Sequence, residues 1–137
     1  MMKRILLVED SPSQSDGVRW ALAQQSDYDI THVDSFNEVY NLISSGVRFD
    51  CAIIDIVIYQ QERNSRSNDD KPDFPNGFGA VREILKLLPK EKILIYTLYP
   101  NGEIAKFIES GGLRQRLLVK PAHIRDLEMN VRAMLSQ

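Results

Sequence analysis

Five short strand-like segments, four of them apolar runs, divide this chain at intervals, and they restrict its fold more than any other feature. They cover residues 5–8, 28–33, 51–54, 93–96 and 117–119. All but the second are almost wholly apolar, as is typical of strands that are buried on both faces of a parallel sheet. The segments between them carry apolar residues at helical spacing. Strands that alternate with helices predict an α/β fold, a parallel sheet covered on both sides with right-handed crossovers.

Helix boundary signals support this division. Ser11 has the character of an N-cap with Pro12 at the first helical position. Ser35 and Glu38 form a capping-box pattern. Five helices are predicted, four of them beginning near residues 12, 36, 77 and 102 and the last running over residues 124–135.

Length and composition set the class of protein. The 137 residues fit one domain, residues 1–137, and the net charge of -2 gives no general basic field for nucleic acid or an anionic membrane. No apolar run approaches the ~20 residues of a membrane span or the length of a signal peptide. The single cysteine, Cys51, excludes an internal disulfide and is predicted to be a buried core thiol. A cytoplasmic location is therefore expected.

Polar residues follow four of the predicted strands at the point where each strand ends. They are Glu9, Asp10, Asp55, Thr97 and Lys120. The carboxyl ends of parallel strands share one edge of the sheet, where ligands of doubly wound folds bind. Three carboxylates held close together repel one another unless a cation neutralises them, and hard oxygen ligands suit Mg²⁺. A carboxylate there can be a nucleophile toward phosphorus, and the lysine and hydroxyl can hold phosphoryl oxygens.

Four stretches together resemble the receiver domain of response regulators, the CheY-like family. They are ILLVEDS at 5–11, FDCAIID at 49–55, ILIYT at 93–97 and LLVKP at 117–121. The resemblance covers nearly the whole chain in order. It implies a flavodoxin-like, doubly wound sheet with strand order 2-1-3-4-5, and a role in two-component phosphorelay signalling in which a histidine kinase or phosphotransfer protein phosphorylates Asp55.

The resemblance also implies roles for the other residues of the site. Asp10, Asp55 and the backbone carbonyl of Val57 would bind Mg²⁺, with Glu9 acting mainly through water. Thr97 and Lys120 would contact the phosphoryl group. The peptide bond before Pro121 matches one that is often cis in this family.

The chain departs from the family pattern at several positions. The family's glycine eight residues after the acceptor corresponds to Gly77, twenty-two residues after Asp55. A polar insertion loop is therefore predicted at residues 59–76, dispensable for folding but used in partner choice. Leu98 replaces a small residue, and Leu117 stands where the family has an aromatic switch residue. These departures concern the output mechanism more than the phosphorylation chemistry.

The predicted function is a stand-alone signalling switch that catalyses only its own phosphorylation and dephosphorylation. The expected partners are a kinase or phosphotransfer protein and an unidentified output protein, without direct contact to nucleic acid or membrane; homodimer formation is left open. The alternative is a pseudo-receiver, an interaction module that acts without phosphorylation. His32 and His123 lack partners at metal-ligand spacing and are interpreted as surface or strand-end residues.

Overall fold

The computed structural model describes residues 2–25, 27–56, 77–98 and 102–136. Val57 and the insertion predicted at 59–76 lie outside these residues. The strands are β1 (Lys3–Val8), β2 (Tyr28–Val33), β3 (Cys51–Ile54), β4 (Ile93–Thr97) and β5 (Leu117–Val119). The helices of the described residues are α1 (Pro12–Leu22), α2 (Phe36–Ser44), α3 (Gly77–Leu85), α4 (Gly102–Ser110) and α5 (Ile124–Leu135).

The five strands form one parallel sheet in the order β2-β1-β3-β4-β5. The parallel sheet and the five described helices confirm the α/β fold class predicted from the apolar runs, and the strand order is the one that the resemblance implies. The strand β3, which precedes Asp55, lies at the centre, hydrogen-bonded to β1 on one side and β4 on the other. β2 lies on one side of β1, whereas β3, β4 and β5 lie on the other. At the junction between β1 and β3, a doubly wound sheet has a crevice at its carboxyl edge.

Alternate side chains of the sheet feed two separate apolar cores. One core joins the sheet to α2, α3 and α4, through residues such as Val39, Val81 and Ile108. The other joins it to α1 and α5, through Val18 and Val131 among others. Cys51 lies fully buried in the second core, as predicted.

Two short 3₁₀ turns, Lys90–Lys92 and Arg114–Arg116, precede β4 and β5 and were not predicted. A three-residue turn has no periodicity of its own, so the apolar pattern does not reveal it. Among the described residues, no helix combines the length and the apolar character needed to cross a membrane.

Candidate functional site

The carboxyl edge of the sheet brings together the five polar side chains that follow its strands. Glu9 and Asp10 follow β1, Asp55 follows β3, Thr97 ends β4 and Lys120 follows β5. Backbone hydrogen bonds fix the register of these strand ends. The Asp55 N–H donates to the Val8 carbonyl at 2.8 Å, and the Lys120 N–H donates to the Thr97 carbonyl at 2.7 Å.

Lys120 is the centre of the cluster. Its Nζ donates to Asp55 Oδ2 at 2.9 Å and to Glu9 Oε1 at 2.5 Å. The side chains of Lys120 and Glu9 are 5% and 3% exposed, and that of Asp55 is 12% exposed. The ammonium group therefore neutralises two carboxylates from two different strands in a place that water barely reaches. Its bond to the following proline, Lys120–Pro121, is cis, as the resemblance implies.

Thr97 completes the surroundings of Asp55. Its hydroxyl donates to Asp55 Oδ1 at 2.9 Å, and the residue is fully buried. The two oxygens of Asp55 thus face different donors, the hydroxyl on one and the ammonium on the other. Such a carboxylate has a fixed orientation, which a nucleophile needs if it is to meet its substrate without a large loss of entropy.

Three acids at this edge form a cluster of the size that a metal ion requires. Glu9, Asp10 and Asp55 each place one carboxylate oxygen so that all three lie within 4.8 Å of one another. Asp10 is half-buried, so the cluster opens to solvent on its side. An all-oxygen set with few protein ligands and access to water fits a hydrated hard cation.

The charges of the cluster shift its protonation equilibria. Burial, with the negative charge of Asp55, raises the pKa of Glu9 from 4.5 to about 7, although Lys120 opposes this. Burial by itself lowers the pKa of Lys120, but its hydrogen bonds to Glu9 and Asp55 and their charges raise it above 10.5. The lysine therefore stays protonated at neutral pH, and an added cation would favour the ionised form of Glu9.

His32 belongs to this region although the sequence did not assign it there. Its Nε2 lies 2.8 Å from the backbone carbonyl of Glu9. The available signal was the alternation along β2, where Tyr28 and Ile30 pack against the second core and His32 is the next residue of the same row. A polar side chain that continues an apolar row needs a polar partner.

Two of the residues that depart from the family pattern are described by the structure. The Leu98 side chain is prominent at the edge, since the residue is 63% exposed. Leu117 is half-buried and packs against the first core. Val57, whose carbonyl was predicted as a ligand, lies outside the described residues.

No protein-family model matches the sequence. Solved structures do match its fold over almost the whole chain. A CheY-like response regulator receiver domain protein from Methanospirillum hungatei JF-1 has a TM-score of 0.75 and 24% identity, with 99% of this chain and 95% of that chain covered. The chain has the receiver-domain fold. A response regulator receiver protein from Sinorhizobium medicae WSM419 gives a TM-score of 0.73 at 20% identity, covering 98% of this chain and 95% of that one.

The receiver fold is also found in larger proteins. The signal receiver domain of an HD domain-containing protein from Pseudomonas fluorescens Pf-5 has a TM-score of 0.76 and 18% identity, with 99% and 96% of the two chains covered. At these identities the likeness is one of fold. The acidic cluster of Glu9, Asp10 and Asp55 is this chain's own observation, and it lies where the fold places its ligand edge.

Proposed function

We propose that this chain is a phosphorelay receiver that accepts a phosphoryl group on Asp55 from a histidine kinase or phosphotransfer protein. One observation carries the proposal: Asp55 lies in the acidic cluster while Thr97 and Lys120 each donate to one of its oxygens. The combination of a cation-binding cluster with two donors is the arrangement that phosphoryl transfer requires.

The transfer step follows from these groups. An Asp55 carboxylate oxygen attacks phosphorus, so that a P–O bond forms while the P–N bond to the donor imidazole breaks. The electron pair of that bond goes to the imidazole nitrogen, which takes a proton. Lys120 and Thr97 lie within hydrogen-bonding distance of the attacking carboxylate and are therefore next to any group attached to it.

The acids of the site suit Mg²⁺. Asp10 and Asp55 would hold the ion together with the Val57 carbonyl, and Glu9 would act through water. When bound, Mg²⁺ supplies positive charge that offsets the charge of the transferred group. The open side at Asp10 favours an ion that keeps several waters and binds reversibly.

The product of this chemistry is a changed protein surface, so the chain is proposed to be a switch rather than a turnover enzyme, acting in the cytoplasm. An apolar groove next to Lys120, between α1 and the start of α5, offers a surface for a protein partner. Trp20 and Leu98 line it and are largely exposed, at 62% and 63%. Exposed aromatic and aliphatic side chains at a groove are typical of protein contacts.

Incubation with acetyl phosphate and Mg²⁺ tests the proposal. We expect a mass gain of one phosphoryl group that is acid-labile, lost when Mg²⁺ is chelated beforehand, and absent in Asp55→Asn. The matched control is Asp50→Asn, because Asp50 precedes the same strand at its other end and is exposed. Phosphorylation of Asp55→Asn at the wild-type level would refute the assignment. A folded wild-type protein that gains no phosphoryl group would favour the pseudo-receiver alternative.

A further inference from the structure

His32 contacts the one backbone segment that supplies two of the three clustered acids. Its Nε2 lies 2.8 Å from the Glu9 carbonyl oxygen. A carbonyl only accepts hydrogen bonds, so Nε2 must carry the proton and donate. Glu9 is 2% exposed, and a buried carbonyl without a donor would be costly.

The sheet itself does not provide this donor. The Glu9 N–H donates to the Val33 carbonyl at 3.0 Å, which continues the β1–β2 ladder one step beyond the strands. In a parallel ladder the Glu9 carbonyl would next accept from a backbone N–H two residues after Val33. However, β2 ends at Val33 and the chain turns into α2, whose N-cap is Ser35. The imidazole of His32 donates the hydrogen bond that a continued β2 would have donated to the Glu9 carbonyl.

The Glu9 carbonyl belongs to the planar peptide unit that joins Glu9 to Asp10. Fixing its direction fixes the rotation of the backbone on both sides, and with it the directions in which both acid side chains leave the chain. We propose that His32 is a positioning residue, which holds the Glu9–Asp10 peptide in the orientation that binds a divalent cation. This inference rests on the proposed function, because it concerns the metal that the acids would bind.

A purely structural role would make a different prediction. Tyr28 and Ile30 precede His32 in the same row and pack against the second core, so the ring of His32 could serve only as filler. In that case an apolar residue of similar size would replace it without loss. A positioning role instead requires the N–H at the end of the side chain.

The test measures the Mg²⁺ affinity of two His32 variants by titration, with backbone NMR or calorimetry as the readout. His32→Leu keeps apolar volume and removes the donor, whereas His32→Gln keeps an N–H at similar reach. We expect His32→Leu to raise the Mg²⁺ dissociation constant by about tenfold, the lower end for loss of a group that orients a metal ligand, and His32→Gln to restore most of the affinity. His123→Leu is the control, because His123 is exposed and its ring bonds to the Arg125 N–H at the start of α5 rather than to the Glu9–Asp10 peptide.

Urea unfolding without metal shows whether each variant is folded. Wild-type affinity in His32→Leu, or equal weakening in the leucine and glutamine variants, would overturn the inference. A second measurement needs no variant: ¹⁵N NMR of the wild-type ring should find the proton on Nε2, and a proton on Nδ1 alone would overturn the inference. If the wild type itself binds no Mg²⁺, the proposed function fails as well; if it binds and His32→Leu binds equally, only the role of His32 fails.

Discussion

At the scale of single residues, Lys120 holds the carboxylates of the site together. It bonds to Glu9 across 111 residues of sequence and to Asp55 across 65, and all three groups are largely shielded from water. Removing the ammonium would leave two buried carboxylates next to each other, a situation that costs far more than the loss of an exposed ion pair. The lysine therefore keeps the acids assembled when no metal is bound.

The five site residues could be predicted because each follows an apolar run, and parallel strands end at one edge. The hydrogen bonds between these side chains could not be predicted, because the ends of the strands show which residues lie near one another but not which rotamers they adopt. The role of His32 was missed for a different reason. His32 ends a row of only three residues along β2, and the acceptor of its hydrogen bond is a backbone carbonyl, which no pattern of side chains indicates.

Cys51 provides a prediction about pH. Burial raises the pKa of its thiol from 9.0 to about 12, so the thiol is protonated in both the folded and the unfolded protein at pH 6–8. The stability that this shift contributes is present below pH 9 and is lost only as the pH rises toward 12. We expect alkylation at pH 8 to be much slower in the native protein than in urea, because burial shields the thiol from the reagent and disfavours the reactive thiolate. Equal rates in mass spectrometry would contradict burial of Cys51.

Two glycines should respond to alanine in opposite ways. A Cβ on Gly77 would lie 1.9 Å from the Ile56 carbonyl oxygen, a backbone atom that cannot move aside alone. Gly77→Ala should therefore destabilise the protein by about 1–3 kcal/mol and weaken phosphorylation, because Ile56 follows Asp55.

The comparison variant is Gly17→Ala. Gly17 lies within α1 with nothing within 4 Å of its Cβ position, so alanine should stabilise the protein by about 0.5–1 kcal/mol. Urea unfolding measures both variants. Equal effects of the two substitutions would show that Gly77 is not in close contact with the end of β3.

At the scale of elements, the first two helices begin in different ways. In α2, Ser35 Oγ accepts from the Glu38 N–H at 3.2 Å, which confirms the N-cap half of the predicted capping box. The return bond differs from the prediction, because Glu38 Oε1 accepts from the N–H of Asp34, one residue before the N-cap, at 3.2 Å. Ser11 is the N-cap of α1, as predicted, but its side chain makes no capping bond. Its backbone N–H donates instead to Glu9 Oε2 at 3.2 Å. The first backbone N–H before α1 thus bonds to a carboxylate of the acidic cluster.

This difference predicts unequal costs for the same substitution. Ser35→Ala should lower the free energy of unfolding by about 1 kcal/mol, because a capping bond is lost. Ser11→Ala should cost less than about half of that in metal-free buffer, since no capping bond exists there. Chemical denaturation of both variants in EDTA checks the order, and a larger cost at Ser11 would mean that the two caps had been assigned the wrong way round.

Apolar spacing predicted the position of every strand, and the last helix, Ile124–Leu135, has the predicted bounds. The helix that begins at Gly77 ends at Leu85, although apolar spacing continued to Leu88. Pro89 follows, and a proline disfavours helical backbone in the residue before it. The chain there makes turns, with the Leu87 and Leu88 N–H groups both donating to Ile84. The spacing of apolar residues shows which side chains are buried, but it does not show whether the backbone there is a helix or a series of turns.

At the scale of the whole molecule, the receiver fold leaves the ends of one connection in contact. Ile56 and Gly77 approach closely, although twenty residues separate them in sequence. Deleting residues 61–74 would leave six connecting residues, and the shorter loop should add about 1 kcal/mol to the free energy of unfolding through closure entropy. Urea unfolding measures this, with acetyl phosphate labelling as a check on the site. A variant that no longer unfolds cooperatively would show that the deleted residues are structural.

The central place of β3 determines which part of the molecule opens last. Its residues Cys51–Ile54 are all fully buried and pair with strands on both sides, whereas β2 pairs on one side only. In heavy water, the amide hydrogens of β3 should exchange only through global unfolding, while those of β2 should exchange sooner through local opening. The Asp55 amide, which donates to Val8, should share the slow behaviour of β3. A group carried by Asp55 would then remain anchored through each partial opening of the protein, so that its lifetime is set by chemistry and not by fluctuations of the fold.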